Sequence, residues 1–288
     1  MLLRSADALG GNALDAYLDR IGLDTRPAID EEGLRAIHRA QYFSIPFENL
    51  DIHLGRRYSF DTHHLVTKMI SRKRGGFCYE LNLLLAAALR GLGFEVDVME
   101  GRMRKREGGF GRPFDHMTLR VAIEGNHWLA DVGNGETFQQ PLPWDGSWTP
   151  QERGGEYRVI LREEEALENE QPADLEQNWK VQFRPNQEAE EEVVYNFRSA
   201  RTTAKDFLPM LTFHTTSKKS QFTKGWIVTR PLEEGGRITA ARGLLMTTRD
   251  GKMERQAIRC ASELEHILAE DFNMLPVAVP PSWFNRRS

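Results

Sequence analysis

Hydrophobic residues recur every three or four positions through the first ninety residues, a spacing typical of amphipathic helices. Asp30 and Asp61 stand where helix N-caps are expected. The last helical segment is apolar on nearly every face from Leu81 to Leu89, so we expect it to be buried. The predicted helices cover residues 13–23, 30–43, 63–71 and a segment that begins at Cys78 and ends before Gly93.

After Gly93 the hydrophobic period shortens to two residues, which is the pattern of β-strands. The strand-like runs are FEVDVMEGRM, HMTLRVAI, HWLADVG, YRVILRE and WKVQFRP, and glycine-containing turns join them. We expect an antiparallel sheet or a small barrel in this middle part. Two acidic stretches near its last strands, residues 162–177 and 186–194, are predicted to be solvated loops.

From Asn196 onward both periods occur, which predicts a third, α/β unit. It contains a helix that ends near His214, three or four strands, and a final helix that Ser262 is expected to cap. A chain of 288 residues is long enough for two or three such domains.

The composition argues against several classes of function. The net charge of -4 and the pI near 6.1 argue against a general nucleic-acid binder, which presents a basic surface. No apolar run reaches the roughly 18 residues of a membrane helix, and none resembles a secretion signal. Two cysteines and no C-x-x-C motif exclude a disulfide framework and a zinc site built from cysteine pairs. We therefore expect a cytoplasmic protein that acts on a small molecule.

One of the two cysteines, Cys78, follows a glycine pair and stands at the start of the most apolar helix. Gly75 and Gly76 allow a tight turn or the close approach of another backbone. The first turn of a helix carries unpaired N–H groups and a partial positive charge, which favour a thiolate and suit an oxyanion hole. The alternative is that Cys78 only fills space in the core as a small apolar residue. We interpret Cys260 in this way, as a core or surface residue without chemistry. Local sequence leaves both interpretations of Cys78 open.

A nucleophilic cysteine needs a base held rigidly nearby, and strand positions suit that purpose best. His116 opens one strand, and Asp131 lies inside the next apolar strand, where a buried carboxylate must find a partner. A hairpin that turns at Gly125 and Asn126 places Asp131 opposite Arg120, about four residues, or roughly 13 Å, from His116. Either a bulge or strong coiling closes that gap, or Asp131 is a structural partner of Arg120.

Five motifs occur in one order along the chain. They are IPFENLDI (45–52), RGGFCYELN (74–82), HMTLRV (116–121), WLADVGNG (128–135) and HTTSKKSQF (214–222). In this combination the chain resembles the arylamine N-acetyltransferases over nearly its whole length. One departure is Asn134, which stands where the family usually has an aromatic residue.

The resemblance implies an α+β fold with a cysteine-protease-like active site between its first two domains. The domains would be a helical bundle (1–93) carrying the nucleophilic cysteine, an antiparallel β-barrel (94–195) carrying the histidine and aspartate, and an α/β lid (196–288). The nucleophile maps onto Cys78, the base onto His116 and the orienting carboxylate onto Asp131. The family pattern thereby favours the His116 partnership of Asp131 over the Arg120 one.

The implied reaction is a ping-pong transfer in which acetyl-coenzyme A acylates Cys78 and an arylamine, hydrazine or N-hydroxyarylamine then takes the acetyl group. The same resemblance makes Phe213, Ser217 and Phe222 candidates for the wall of the coenzyme site, and Lys218 and Lys219 candidates for phosphate contacts. No metal is expected. Asp115, next to His116, would raise the pKa of that histidine if it turned inward.

Two other functions stay open at this point. An amide synthase of the same fold would close a macrolactam with an aromatic amine inside its own substrate. A module that binds coenzyme or arylamine without turnover would keep the scaffold alone, although the intact Cys78, His116 and Asp131 argue against it.

Overall fold

The structure, a computed structural model, describes residues 7–135, 138–152, 154–161 and 178–284. All four predicted helices are present, and one short helix precedes the third of them. Asp30 caps its helix by accepting a hydrogen bond from the Gly33 N–H at 2.8 Å, and Asp61 accepts from His63 at 3.0 Å. The helices are α1 (Gly11–Ile21), α2 (Glu31–Ser44), α3 (Leu50–His53), α4 (Thr62–Leu65), which continues as a π-helical turn (Val66–Ser71), and α5 (Cys78–Leu92).

Helix α5 is the centre of the molecule. Every residue from Cys78 to Leu89 is buried, as the sequence predicts. The core around it takes side chains from α1 and α2 and also from the strands that follow, including Val96, Leu119 and Val121. Since one core joins the helices to the sheet, the division into units at residues 93 and 195 stays a prediction.

An eight-stranded antiparallel sheet follows α5 and curls into a nearly closed barrel. Its strand order is β5-β4-β3-β2-β9-β8-β7-β6. The fold is therefore α+β with an antiparallel barrel, as expected. The strands are β2 (Glu95–Met103), β3 (His116–Ile123), β4 (Asn126–Ala130), β5 (Leu142–Pro143), β6 (Thr149–Pro150), β7 (Glu156–Leu161), β8 (Asn178–Arg184) and β9 (Glu192–Arg198).

Strand β9 was not predicted from the sequence. Residues 186–191 form exposed turns, as predicted for an acidic stretch, but the prediction of a solvated loop is wrong from Glu192 onward. Tyr195 and Phe197 are buried in the barrel core, and the acidic run before them masked the alternation that marks a strand. The other acidic stretch, residues 162–177, lies outside the described residues.

The C-terminal part forms a five-stranded antiparallel sheet with helices beside it. Its edge strand β1 comes from the N-terminal region, so Phe47 lies opposite Thr229. Ser262 does not cap the last helix, because Cys260 takes the N-cap position two residues earlier. The elements are β1 (Phe47–Glu48), β10 (Ile227–Pro231), β11 (Arg237–Ala241), β12 (Leu244–Arg249), β13 (Lys252–Ala257), α6 (Leu208–Thr216) and α7 (Ala261–Glu270). Within the described ranges, no helix has the length and apolar character needed to cross a membrane.

Beneath the N-terminus of α5 lies a buried ion cluster of Glu48, Asp51, Lys68, Arg74 and Glu80. Lys68 Nζ lies 2.8 Å from both Glu80 and Asp51, and Arg74 lies 2.6 Å from Glu48 and 3.0 Å from Asp51. These charges come from β1, α3, the π-helical turn, the loop before α5, and α5 itself. Buried charges are tolerated only when they are paired, so the cluster fixes these five segments against one another.

We predict that Lys68→Met lowers the free energy of unfolding by about 3 to 5 kcal/mol, because it leaves the buried Glu80 carboxylate without its cation. The matched control is Arg26→Met, which removes an exposed pair with Asp15 and is expected to cost less than about 1 kcal/mol. Urea unfolding of both variants measures the difference. Equal, small losses would contradict the role given to the cluster.

Candidate active site

Cys78 is the first residue of α5 and is only 4% exposed. The glycine pair before it allows neighbouring atoms to approach the backbone closely. A Cβ on Gly75 would lie 2.1 Å from the Pro46 carbonyl oxygen, and a Cβ on Gly76 would lie 2.9 Å from Glu80 Cβ. The Phe77 N–H donates to the Glu80 carboxylate at 3.3 Å. The Cys78 N–H belongs to the first turn of α5, where N–H groups have no acceptor within the helix.

His116 is the first residue of β3 and meets Cys78 from the barrel side. Its Nε2 lies 2.6 Å from Asp131 Oδ2, and its imidazole lines the same cavity as the Cys78 thiol, close enough for the two groups to shift each other's pKa. Gly101, opposite on β2, leaves room for the ring, since a Cβ there would lie 3.2 Å from His116 Cδ2. The Tyr195 ring covers the imidazole at a centroid distance of 5.2 Å.

Asp131 is fully buried, and both of its carboxylate oxygens are satisfied. Oδ2 meets His116, while Oδ1 accepts from Asn82 Nδ2 at 2.9 Å and from the Gly133 N–H at 2.8 Å. Asn82 lies one helical turn after Cys78, and its Oδ1 also accepts from the Val132 N–H at 3.0 Å. One helix therefore holds both the thiol and the amide that orients the carboxylate.

The strand register expected from the sequence is wrong by two residues. The hairpin turns at Glu124 and Gly125, both with positive φ, and pairs Arg120 with Leu129. Continued past the end of β4, this register brings Asp131 opposite Thr118, two residues from His116 rather than four. Arg120 instead pairs with Asp97 on β2, at 2.6 Å. The structural interpretation of Asp131 as a partner of Arg120 is therefore excluded.

The charges of the three groups are interdependent. Burial alone would lower the pKa of His116, but the Asp131 charge and the hydrogen bonds to Asp131 and Cys78 raise this pKa to about 10. Burial would raise the pKa of Asp131, and His116, Asn82 and the Gly133 N–H hold it below its usual value. Burial raises the pKa of the Cys78 thiol, and His116 opposes that rise. The thiol pKa remains above its ordinary value on balance, and the basic imidazole of His116 is the group placed to accept the thiol proton.

Two residues that support Asp131, His38 and Asn82, were not predicted from the sequence. His38 Nε2 accepts from the Asp131 N–H at 3.1 Å, and its Nδ1 lies 3.1 Å from the Gln139 carbonyl. Burial lowers the pKa of His38 to about 4, so it is neutral there. Asn82 was recognisable from its spacing, because residues four apart share a helix face. His38 gave no such local signal, since 93 residues separate it from Asp131.

In front of the thiol lies a cavity of about 250 Å³, the catalytic pocket. Asn134 lines it and directs its amide toward Met103 Sδ, at 3.9 Å. Asp115 also lines it, and burial raises the pKa of this carboxyl to about 6. Among the described residues, the lining consists of Phe47, Cys78, Met103, Asp115, His116, Gly133, Asn134, Gly135, Phe222, Ile227, Thr229 and Arg237.

A larger cavity of about 700 Å³, the basic cleft, adjoins the catalytic pocket through Met103, Asp115 and Phe222. Two of the predicted coenzyme residues, Phe213 and Phe222, line it, but Ser217 does not, and the Ser217 hydroxyl accepts from the Lys219 N–H at 3.2 Å. Lys219 lines the cleft and Lys218 does not. Four basic residues that sequence reasoning missed come from the loop after β2: Arg104, Lys105, Arg106 and Arg112.

In the described part of the chain, no group of three or more histidine, cysteine, aspartate or glutamate residues has a metal-binding arrangement.

Comparison with known proteins gives one consistent result. The N-acetyltransferase family model matches residues 30–278. Arylamine N-acetyltransferase 1 of Bos taurus is 33% identical over 73% of this chain and 74% of its own length. The arylamine N-acetyltransferase / N-hydroxyarylamine O-acetyltransferase of Salmonella typhimurium is 32% identical over 78% of this chain and 75% of its own. The structure of Mycobacterium marinum arylamine N-acetyltransferase in complex with CoA superimposes with a TM-score of 0.76 at 25% identity, over 91% of this chain and 92% of that one.

We predict that Asp131→Asn slows alkylation of Cys78 by iodoacetamide near neutral pH by roughly 10- to 1000-fold. Loss of the carboxylate charge lowers the pKa of His116 by about 1 to 3 units, so the proton returns to the thiol and the thiolate forms only at higher pH. The pH dependence of alkylation, followed by mass spectrometry, should therefore move toward alkaline pH.

The matched control is Asp97→Asn, which removes a carboxylate paired with Arg120 and remote from the thiol. Its alkylation profile should coincide with that of the unmodified protein. A profile for Asp131→Asn that also stays in place would show that Asp131 does not control the basicity of His116.

Proposed function

The chain belongs to the arylamine N-acetyltransferase family, and we propose that it transfers acetyl groups from acetyl-coenzyme A to aromatic amines through a thioester on Cys78. One observation carries the residue assignment: a buried cysteine at a helix N-terminus shares a cavity with a histidine whose Nε2 lies 2.6 Å from a buried carboxylate. This is the arrangement of an activated nucleophile with an oriented base. Hydrazines and N-hydroxyarylamines are the other acceptors that we propose.

In the first half-reaction, Cys78 Sγ attacks the acetyl carbon of the coenzyme thioester. A new C–S bond forms to Cys78 as the C–S bond to coenzyme A breaks, and the departing thiolate takes the proton that His116 holds. Because one thioester replaces another, the step is nearly isoenergetic. The Cys78 N–H, in the first turn of α5, is suited to stabilise the oxyanion of the tetrahedral intermediate.

In the second half-reaction, the amine nitrogen attacks the acetyl group on Cys78. A C–N bond forms, His116 accepts a proton from the amine, and the C–S bond to Cys78 breaks to give back the thiolate beside the imidazolium. Aromatic amines suit this step, because they are weak bases and are largely unprotonated at neutral pH. Asp131 keeps His116 in the orientation that both half-reactions need.

The basic cleft is our candidate site for coenzyme A. Its volume suits a large ligand, and it adjoins the catalytic pocket, so the thioester end of the coenzyme would reach Cys78. Arg104, Lys105, Arg106, Arg112 and Lys219 provide cations for its phosphates, and Phe213 and Phe222 provide apolar wall for its pantetheine arm. Arg112 also lies over the Phe213 ring, at 4.3 Å.

We predict that Cys78→Ser lowers acetyl transfer by at least roughly 10³-fold, because a serine hydroxyl is not ionised by this histidine. Intact-mass measurement should find an acetyl adduct in the unmodified protein and none in the variant. The matched control is Cys260→Ser, which changes the other, exposed cysteine and should keep both adduct and turnover. Substantial turnover in Cys78→Ser would contradict the mechanism. An adduct that forms only from a carrier-bound acyl chain would indicate an amide synthase instead.

We predict that Arg112→Gln raises the KM for acetyl-coenzyme A about three- to tenfold, because it removes one phosphate-binding cation at the cleft surface. Arg249→Gln is the control, since Arg249 lines neither the catalytic pocket nor the basic cleft and pairs with Glu234 on the surface. Steady-state kinetics at fixed amine concentration measures both values. An unchanged KM in Arg112→Gln would place the phosphates elsewhere.

A further inference from the structure

A cavity of about 390 Å³ lies apart from the active site, beside the ion cluster under α5. We call it the polar cavity. Helix α3 and the loop after it, helix α4, the π-helical turn and the loop before α5 form its walls. Among the described residues, it shares no lining residue with the catalytic pocket or the basic cleft. A ligand held there would contact neither Cys78 nor His116.

The lining of the polar cavity consists only of polar and charged side chains among the described residues. Pockets for apolar molecules are instead lined mostly by hydrophobic and aromatic side chains. No phenylalanine, tyrosine or tryptophan lines this cavity in the part of the chain that the structure describes, so an aromatic ligand would find no ring to stack on. The cavity is suited to a small, charged, strongly hydrated ligand.

Positive charge predominates on the cavity walls. Five lysine and arginine side chains line the cavity, against the two carboxylates of Asp51 and Asp61. Adding Glu48 and Glu80, which are fully buried in the ion cluster, still leaves five cations against four carboxylates. The protein as a whole carries a net charge of -4, so the cavity is a local exception that attracts anions. The five cations are Arg56, Arg57, Lys68, Arg72 and Arg74.

Two of these cations are available to a ligand. Lys68 and Arg74 are buried and paired in the ion cluster, and Arg56 lies 3.6 Å from Asp51. Arg57 and Arg72 are exposed, and neither forms an ion pair within the described ranges. A guanidinium presents its N–H donors in a planar fork that matches two oxygens of a phosphate. Both forks can therefore hold an anion without breaking an existing pair.

The backbone between the wall arginines has an uncommon conformation. The Arg72 N–H donates to the Thr67 carbonyl and the Arg74 N–H donates to the Lys68 carbonyl, each at 3.0 Å. Between the two arginines, Lys73 has a φ of 45°, in the left-handed region that residues other than glycine seldom adopt. Both arginines line the cavity as a result. π-Helical turns and left-handed residues of this kind occur often at functional sites.

We propose that the polar cavity is an anion site that binds a phosphate group, either free or carried by a small metabolite. The exposed Arg57 and Arg72 donate to the phosphate oxygens, and the buried Lys68 and Arg74 contribute positive charge from the floor. The volume falls within the roughly 300 to 1,000 Å³ of small-molecule sites, which leaves room for a small polar group on the phosphate. The inference is independent of the proposed function, because no step of acetyl transfer involves these residues.

Isothermal titration calorimetry at fixed ionic strength tests the site with inorganic phosphate, inorganic diphosphate and glucose 6-phosphate. We expect one site, with a Kd of about 1 mM or tighter for the best of the three ligands. Tightest binding of glucose 6-phosphate would identify a phosphorylated metabolite as the ligand, and tightest binding of an inorganic anion would identify free phosphate or diphosphate. If none of the three bound, the proposal would be overturned.

The double variant Arg57→Gln with Arg72→Gln locates the anion. It should weaken binding about tenfold or more, because two charge-assisted contacts are lost. Its urea midpoint should not change, since both side chains are exposed and form no ion pair in the described part of the chain. The charge-matched control is Arg104→Gln with Arg112→Gln in the basic cleft, which should keep the affinity. If only the control weakened binding, the anion would occupy the basic cleft and the proposal would be wrong.

Thermal unfolding gives a second readout. A ligand that binds only the folded chain stabilises it, so the best ligand at ten times its Kd should raise the Tm by about 2 to 5 °C. The Tm of the Arg57→Gln, Arg72→Gln variant should rise much less under the same conditions. Phosphate also stabilises proteins generally, by exclusion from their surface. Equal shifts in the variant and the unmodified protein would show that general effect alone and would refute the site.

Discussion

The buried carboxylate of Asp131 is the constraint on which the active site depends. An ionised group with no solvent exposure is tolerated only if every lone pair finds a partner, and here the partners come from three different elements. His116 arrives on β3, Asn82 on α5, and the Gly133 N–H from the chain that follows β4. Satisfying this charge brings the helix that carries the thiol against the strand that carries the base.

A second buried charge group supports the same helix end from the other side. Glu80 belongs to the ion cluster and also accepts from the Phe77 N–H, directly before Cys78. Pairing such a cluster gives little net stability, because desolvation offsets most of the Coulomb attraction. Its effect is on geometry. The first turn of α5 is fixed by the ion pair between Lys68 and Glu80 and by the hydrogen bonds of Asn82. A thiol on such a fixed turn meets the imidazole without a search among conformers.

Much of this arrangement could be predicted from the sequence, and the exceptions have physical causes. Helical spacing and the apolar run from Leu81 to Leu89 were sufficient to identify α5 as the buried helix. The partnership of Cys78, His116 and Asp131 depended on the family resemblance, because hairpin arithmetic placed the turn one residue too late and shifted the register by two. The turn was misplaced because residues with positive φ in two-residue turns are usually glycine, asparagine or aspartate. Here the first turn residue is Glu124, which adopts positive φ although its type does not indicate it.

Contacts between residues far apart in the sequence could not be predicted either. The basic side chains of the basic cleft lie in a loop that carries no periodic pattern, and only the folded barrel brings that loop beside α6. His38 meets Asp131 across 93 residues, and Ser217 stands in the predicted motif yet turns its hydroxyl back to its own loop. Sequence motifs identify residues near the chemistry, whereas tertiary packing decides which side chains of a motif face a ligand.

Burial of the thiol has one more consequence for the covalent intermediate. Cys78 is 4% exposed, and the acetyl group that it carries would occupy a pocket walled by Phe47, Phe222 and Ile227. Apolar walls of this kind exclude bulk water, so hydrolysis of the thioester is slow while a ligand fills the pocket. Burial of the nucleophile therefore favours transfer of the acetyl group to a bound acceptor over its loss to water.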